Sequence, residues 1–330
     1  MRDMPLLLSE HDVRRVLPMP DLIQAMASAL AEYSAERVAQ PVRTVIEVGP
    51  ERAYFGVMPA VIDSPAAMGA KLVTVYAGNH ARGLTSHLAT IILLDPATGA
   101  LVALLDGRYI TEARTAAVSA VSVERLARAD ATRLAIIGSG VQARSHLDAI
   151  RHVRTLTDVR VWSPNAAHCA AFAQSASNDT GLTVRAAASA RTAVHDADIV
   201  VLVTASPVPV INDEDIAPGT HICAIGACRP TQREMPTALV ARARLFVDSR
   251  AAALVEAGDI VLPSKEGAFT AGHIAGELGS LVLGRCAGRL SDADVTLFKS
   301  LGMAVEDVVA AQLVAERATA AGLGTEFSLS

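Results

Sequence analysis

The stretch Leu134-Ala135-Ile136-Ile137-Gly138-Ser139-Gly140-Val141-Gln142-Ala143 constrains this chain more than any other. Four consecutive apolar residues read as a strand buried on both faces. The chain then turns at Gly138-Ser139-Gly140 and runs on to Ile150 with a helical pattern. Strand, G-x-G-x-x-A turn and helix in this order form a dinucleotide-binding fingerprint. Gly138 permits the tight turn, Gly140 lets the backbone approach a pyrophosphate, and Ala143 lets helix and strand pack closely. The N–H groups at the helix start then face the phosphates. The plainer alternative is a glycine-rich loop in some other α/β unit; the flanks and the strands that follow count against it.

Those strands are Asp158 to Trp162, Thr183 to Ala187, Asp198 to Thr204, His221 to Ala227 and Leu245 to Asp248. Helical segments separate most of them, so the expected fold is α/β, with a doubly wound, mostly parallel sheet. Upstream, Ser9 caps a helix and a second runs from Asp21 to Tyr33. Strands follow at Val42 to Val48, Ala53 to Met58, Met68 to Tyr76, Ala89 to Leu94 and Ala100 to Asp106, with turns at Gly49-Pro50 and Asp95 to Gly99. Thr111 to Ala127 is a helix of small residues, suited to close packing or a subunit interface. Further helices are expected at Ala251 to Ala257, Ile274 to Leu283 and Met303 to Ala321.

Three hundred and thirty residues suffice for about two domains. A net charge of -5 without any Lys/Arg-rich run argues against a nucleic-acid partner, and 3% aromatics leave little for base stacking. No apolar run reaches about 18 residues, so no membrane span is expected. Met1-Arg2-Asp3-Met4-Pro5 lacks a signal-peptide pattern. Cys169, Cys223, Cys228 and Cys286 show no C-x-x-C spacing, so the expectation is no metal site and reduced thiols in a cytoplasm.

Candidate chemistry starts with cations in apolar settings. Lys71 interrupts Met68-Gly69-Ala70-Lys71-Leu72-Val73, Arg114 lies on the small-residue helix, and Arg43 sits in the strand opening at Val42. Taken singly, each reads as a structural ion pair. Together they form a trap for an anion such as a carboxylate, which arginine can bind bidentately. His87 precedes an apolar strand, where it lines a site or caps a loop. Cys228 follows the fifth strand of the nucleotide unit, where open α/β sheets place ligands, and reads as a reactive thiol or a small neutral wall. Glu256 reads as a site residue or a solvated helix charge.

Gly69-Ala70-Lys71-Leu72-Val73, Asp106-Gly107-Arg108-Tyr109-Ile110-Thr111-Glu112-Ala113-Arg114-Thr115-Ala116-Ala117, Ile137 to Ala143, Val247-Asp248-Ser249-Arg250 and Phe298 to Asp307 resemble the ornithine cyclodeaminase/mu-crystallin family. The likeness runs from about residue 5 to about residue 320. It implies a Rossmann domain at 116–302 and a discontinuous α+β substrate and dimerisation domain at 1–115, joined by the C-terminal helix 303–330. It also implies homodimers that use a nicotinamide cofactor on amino or imino acids.

By the same resemblance Arg43, Lys71 and Arg114 become carboxylate-binding and catalytic residues, and His87, Cys228 and Glu256 line the substrate. The implied cofactor residues are Thr115, Gly138, Ser139, Gly140, Val141, Gln142, Ser163, Asn165, Thr204, Ala205 and Gly226. Cyclodeaminases carry an aspartate where this chain has Cys228, which points to the ketimine-reductase subgroup. The expected reaction is NAD(P)H-dependent reduction of a cyclic or acyclic α-imino acid. A cyclodeaminase-type lyase and a cofactor-dependent binding protein are the alternatives. The second nucleotide strand ends Trp162-Ser163-Pro164-Asn165 without an acid, which leans to NADP(H), with NAD(H) left open.

Overall fold

The computed structural model describes residues 4–49 and 53–328. Pro50 of the expected turn and Met1 to Asp3 of the N-terminal reading lie outside them. The chain divides into two compact units, Met1–Arg114 with Met303–Ser330, and Thr115–Gly302.

The first unit opens with β1 (Leu6–Leu8), α1 (Glu10–Val16), α2 (Met19–Ser34), β2 (Val38–Ala39), β3 (Thr44–Val48), β4 (Ala53–Ile62), β5 (Ala67–Val75), β6 (His87–Leu94) and β7 (Leu101–Asp106). Helix α3 (Arg108–Leu126) carries the chain into the second unit. There follow β8 (Arg133–Ile137), α4 (Val141–Ile150), β9 (Asp158–Trp162), α5 (Ala166–Thr180), β10 (Val184–Ala186), α6 (Ala190–Val194), β11 (Ile199–Leu202) and β12 (His221–Ala224). Next come α7 (Thr237–Arg242), β13 (Arg244–Val247), α8 (Arg250–Glu256), α9 (Gly258–Lys265), β14 (Ile274–Glu277), α10 (Leu278–Val282) and β15 (Thr296–Lys299). The chain returns to the first unit as α11 (Ala304–Ala321) and β16 (Thr325–Glu326).

In the first unit a mixed sheet runs β16-β1-β7-β6-β5-β4-β2, with β3 also paired to β4. Ser9 starts α1 with a capping box: its side chain accepts from the Asp12 N–H while Asp12 bonds back to the Ser9 backbone. Along β5 burial alternates, so Ala67, Gly69, Lys71 and Val73 share the buried face. Helix α11 packs over β5 on that face. Gly69 makes the approach feasible, because a Cβ there would lie 2.5 Å from the Ile92 carbonyl oxygen and 3.4 Å from Val308 Cγ2.

The second unit holds a sheet in the order β10-β9-β8-β11-β12-β15-β13-β14, and every described pairing in it is parallel. Successive residues of a strand point to opposite faces, so Leu134, Ile136, Val159, Val161, Ile199 and Val201 join one core while Ala135, Ile137, Val200, Leu202, Ile222 and Ala224 join another. This is the doubly wound α/β arrangement expected from the sequence. Two expectations need correction. Ile274 to Glu277 is a strand, and only Leu278–Val282 of the expected helix is helical; a short apolar run followed by more apolar residues does not declare its period. Thr296–Lys299, not anticipated as a strand, sits between β12 and β13.

Candidate active site

Lys71 does not reach for solvent. It is 1% exposed, and its Nζ lies 2.6 Å from Asp307 Oδ2. Arg114, also buried, donates from Nε to Asp307 Oδ1 at 3.0 Å and from Nη1 to Glu306 Oε2 at 2.8 Å. The period of two along β5 sets Lys71 on the same face as Gly69, and Asp307 precedes the Val308 that Gly69 accommodates. Strand and helix therefore meet with a cation on one and an anion on the other.

Burial pushes the Lys71 ammonium down to about 8 against the pull of Asp307, and the charges of Arg114 and Arg43 push the same way as burial. Asp307 stays below its ordinary value despite its burial, because Arg114 and Lys71 flank it. Burial, with the charges of Lys71 and Arg114, drops His87 to about 4, so its ring is neutral at physiological pH. His87 is the first residue of β6 rather than a residue ahead of it. Arg43 likewise lies just before β3, not within it, and is half-buried. The first unit thus gathers Arg43, Lys71, His87 and Arg114 into one electrostatic neighbourhood.

Sequence reasoning did not single out Glu306 and Asp307. Acids in a first helical turn are ordinary, which hid them. The available signal was their apolar setting: Ala304, Val305, Val308, Ala310 and Ala311 around them are all buried.

In the second unit the fingerprint forms a cradle. Gly138 has φ +124°, and a Cβ on it would lie 2.7 Å from the Val203 carbonyl oxygen. A Cβ at Gly140 would meet nothing within 4 Å, so the space before it is open. Gly140 is the N-cap of α4 and offers no side-chain cap to Val141, Gln142 and Ala143. Open space in front of helix N–H groups fits a pyrophosphate. Gly138 N–H donates to the Trp162 carbonyl, and Ser139 Oγ donates to Ser163 Oγ at 2.9 Å, tying the turn to the end of β9. Asn165 spends its side-chain oxygen capping α5 through the His168 N–H. Thr115 is buried within α3.

Past the strand ends, Thr204 and Gly226 both bond the carboxylate of Glu234, a residue the sequence did not single out. Ala205 is exposed beside Thr204. Cys228 is exposed, and its thiol donates to the Ile225 carbonyl at 3.3 Å. Glu256 ends α8, half-buried. Among the described residues, no helix is long and apolar enough to cross a membrane.

The chain is similar along its length to known proteins. It is 41% identical over 318 residues to ketimine reductase mu-crystallin of Rattus norvegicus, covering 95% of this chain and 97% of that one. It is 38% identical over 320 residues to Delta(1)-pyrroline-2-carboxylate reductase of Bacillus cereus, covering 97% and 98%. Delta(1)-pyrroline-2-carboxylate reductase of Thermococcus litoralis, solved with NADH and L-proline, matches with a TM-score of 0.95 and 38% identity over 98% of this chain and 100% of that one. With the family model matching residues 4–322, the chain belongs to the ornithine cyclodeaminase/mu-crystallin family.

Proposed function

We propose that this chain reduces an α-imino acid to the L-amino acid with a nicotinamide cofactor. The observation that carries the reading is the buried Lys71, paired with the Asp307 carboxylate that Arg114 also holds and depressed to about 8. Such an ammonium holds its proton at neutral pH and gives it up readily. Three cations, Arg43, Lys71 and Arg114, share this neighbourhood with two carboxylates, Glu306 and Asp307. Arginine and lysine side chains gathered at one place suit a substrate carboxylate. Lysine has three donors, so its bond to Asp307 leaves others for that carboxylate or for the imine nitrogen. A protonated imine accepts hydride far better than a neutral one, and Lys71 is the proton source. His87, neutral, adds a hydrogen-bonding wall without a competing charge.

The Gly138–Gly140 cradle would hold the cofactor, which would supply the hydride. We read it as NADP(H) rather than NAD(H), because no carboxylate follows Trp162 to hold both ribose hydroxyls. The same reading takes the chain as a cytoplasmic homodimer. Exposed apolar residues around β3, Val42, Val45 and Ile46, are surface of the kind a partner covers.

The test is oxidation of NADPH and NADH with pyrroline-2-carboxylate, piperideine-2-carboxylate, iminosuccinate and amine-plus-oxoacid mixtures. Turnover of at least one, with higher kcat/KM for NADPH, is expected. No turnover by protein that demonstrably binds cofactor would overturn the reading. Ammonia release from ornithine or lysine without cofactor consumption would replace it with a lyase.

A further inference from the structure

Three ionisable side chains of the second unit, Glu234, Asp259 and Lys299, are each 0% exposed, and the proton transfer just described uses none of them. Glu234 Oε1 accepts from the Thr204 N–H at 2.8 Å and the Thr204 hydroxyl at 2.7 Å, while Oε2 accepts from the Gly226 N–H at 2.7 Å. Thr204 lies just past β11 and Gly226 just past β12, and these two strands pair directly. The carboxylate therefore bridges the C-terminal ends of adjacent parallel strands. Open α/β sheets bind ligands at that edge.

The bridge is fixed from behind. Asp259 Oδ1 accepts from the backbone N–H groups of Glu234 and Met235, at 2.8 and 3.2 Å, and its Oδ2 lies 3.1 Å from Lys299 Nζ. Lys299 ends β15, the strand beside β12, so a rigid element sets the far end of the chain of contacts. The fit is tight. A Cβ on Gly226 would lie 2.0 Å from the Thr204 carbonyl oxygen and 2.6 Å from Glu234 Oε1.

We propose that Glu234 is the positioning residue for the nicotinamide half of the cofactor, a strut that fixes the two strand-end loops between which the ring is held. This rests on the dinucleotide reading above. The role is one of reach as well as charge. Three donors converge on two acceptor oxygens, and a glutamine would turn one terminus into a donor facing a donor. An aspartate keeps the charge but is about 1.5 Å shorter and bonds only one loop at a time.

Glu234→Gln and Glu234→Asp are therefore compared with the unaltered protein for two affinities, neither of which needs turnover. One is for NADPH or NADH, whichever binds tighter, read by nicotinamide fluorescence. The other is for the matching ADP-ribose fragment, which lacks nicotinamide. Each substitution should weaken the dinucleotide about tenfold, as expected when a buried donor is left unpaired, and leave the fragment within about twofold. Equal weakening of both ligands would make Glu234 a general support of the unit and overturn the proposal, as would no weakening of either. Should the glutamine variant fail to fold, the aspartate variant, which retains the charge beside Asp259 and Lys299, carries the same reading. Unaltered protein that binds neither ligand would instead remove the dinucleotide reading itself.

Discussion

The two units each bury a lysine against an aspartate, yet the surroundings differ. Around Lys71 the carboxylates of Asp307 and Glu306 accept from the side chains of Lys71 and Arg114, with a third cation, Arg43, felt nearby. Around Lys299 one cation meets two carboxylates, and those carboxylates take most of their bonds from backbone N–H groups at Thr204, Gly226, Glu234 and Met235. The first cluster has a lysine pushed down toward neutrality. In the second, Lys299 is held above its ordinary value, because Asp259, Cys228 and Glu234 outweigh the cost of its burial. Buried charge of one kind is left able to react, and of the other is spent on holding backbone in place.

Removing the reactive lysine should separate them most sharply. Lys71→Ala is expected to lower kcat by roughly two to four orders of magnitude, the range of a positioned acid–base group. Steady-state kinetics checks this, and an unchanged kcat with a raised KM would reduce Lys71 to a binding residue.

Asp307→Asn breaks the same cluster from its anionic side. It should cost about 3 to 5 kcal/mol of stability, since it leaves buried cations uncompensated, and thermal denaturation measures it. The pH profile gives a second reading. In the role proposed for Lys71 the ammonium is the working form, so the rate should fall as pH rises through about 8. Asp307 favours the charged lysine; without it the fall should move to lower pH.

Much of this was legible in the sequence, for reasons that also explain the gaps. Lys71 stood out because a charge within an apolar strand is costly and needs a purpose. The fingerprint stood out because few other turns place glycines and a helix in that order. Asp307 was visible only as the end of a family motif, because an acid in a first helical turn is ordinary. Glu234 and Asp259 did not stand out, because a strut is defined by what it spans, and nothing local marks residues 204 and 226 as its ends. Lys299 was visible only as part of a family motif, and its strand was missed because Thr and Lys at the ends of Thr296–Lys299 blur the apolar run. The strand was begun two residues early, at Val42 instead of Thr44, which put Arg43 inside it, since Val42 extends the apolar pattern of β3 without sharing its ladder.

Paired glycine substitutions test the packing beneath each cluster. Gly69→Ala and Gly226→Ala should each cost about 1 to 3 kcal/mol, because both new methyl groups meet backbone oxygen. Only Gly226→Ala should also weaken cofactor binding, and equal effects on cofactor affinity would erase the distinction between the clusters.

The smallest effect belongs to Cys228. Cys228→Ser should hold imine reduction within about threefold, as for an exposed residue outside the packed core. Cys228→Asp tests the proposed place of Cys228 beside the substrate, since an anion there should reduce activity further. Loss of nearly all activity in the serine variant, with cofactor affinity intact, would make the thiol itself part of the chemistry.

The placement of Asp307 has a consequence for how the protein is made. A ribosome delivers it 193 residues after Arg114, about 10 to 40 s later at ordinary elongation rates. The Thr115–Gly302 unit is one unbroken run and is fully synthesised first. Until α11 emerges, β5 carries its lysine without the anion that makes its burial tolerable, so the first unit should close after the nucleotide unit. The buried Lys71 is thereby paired only by the last helix described, and a chain stopped at Gly302 should bind dinucleotide yet leave Lys71 accessible to amine-reactive reagents.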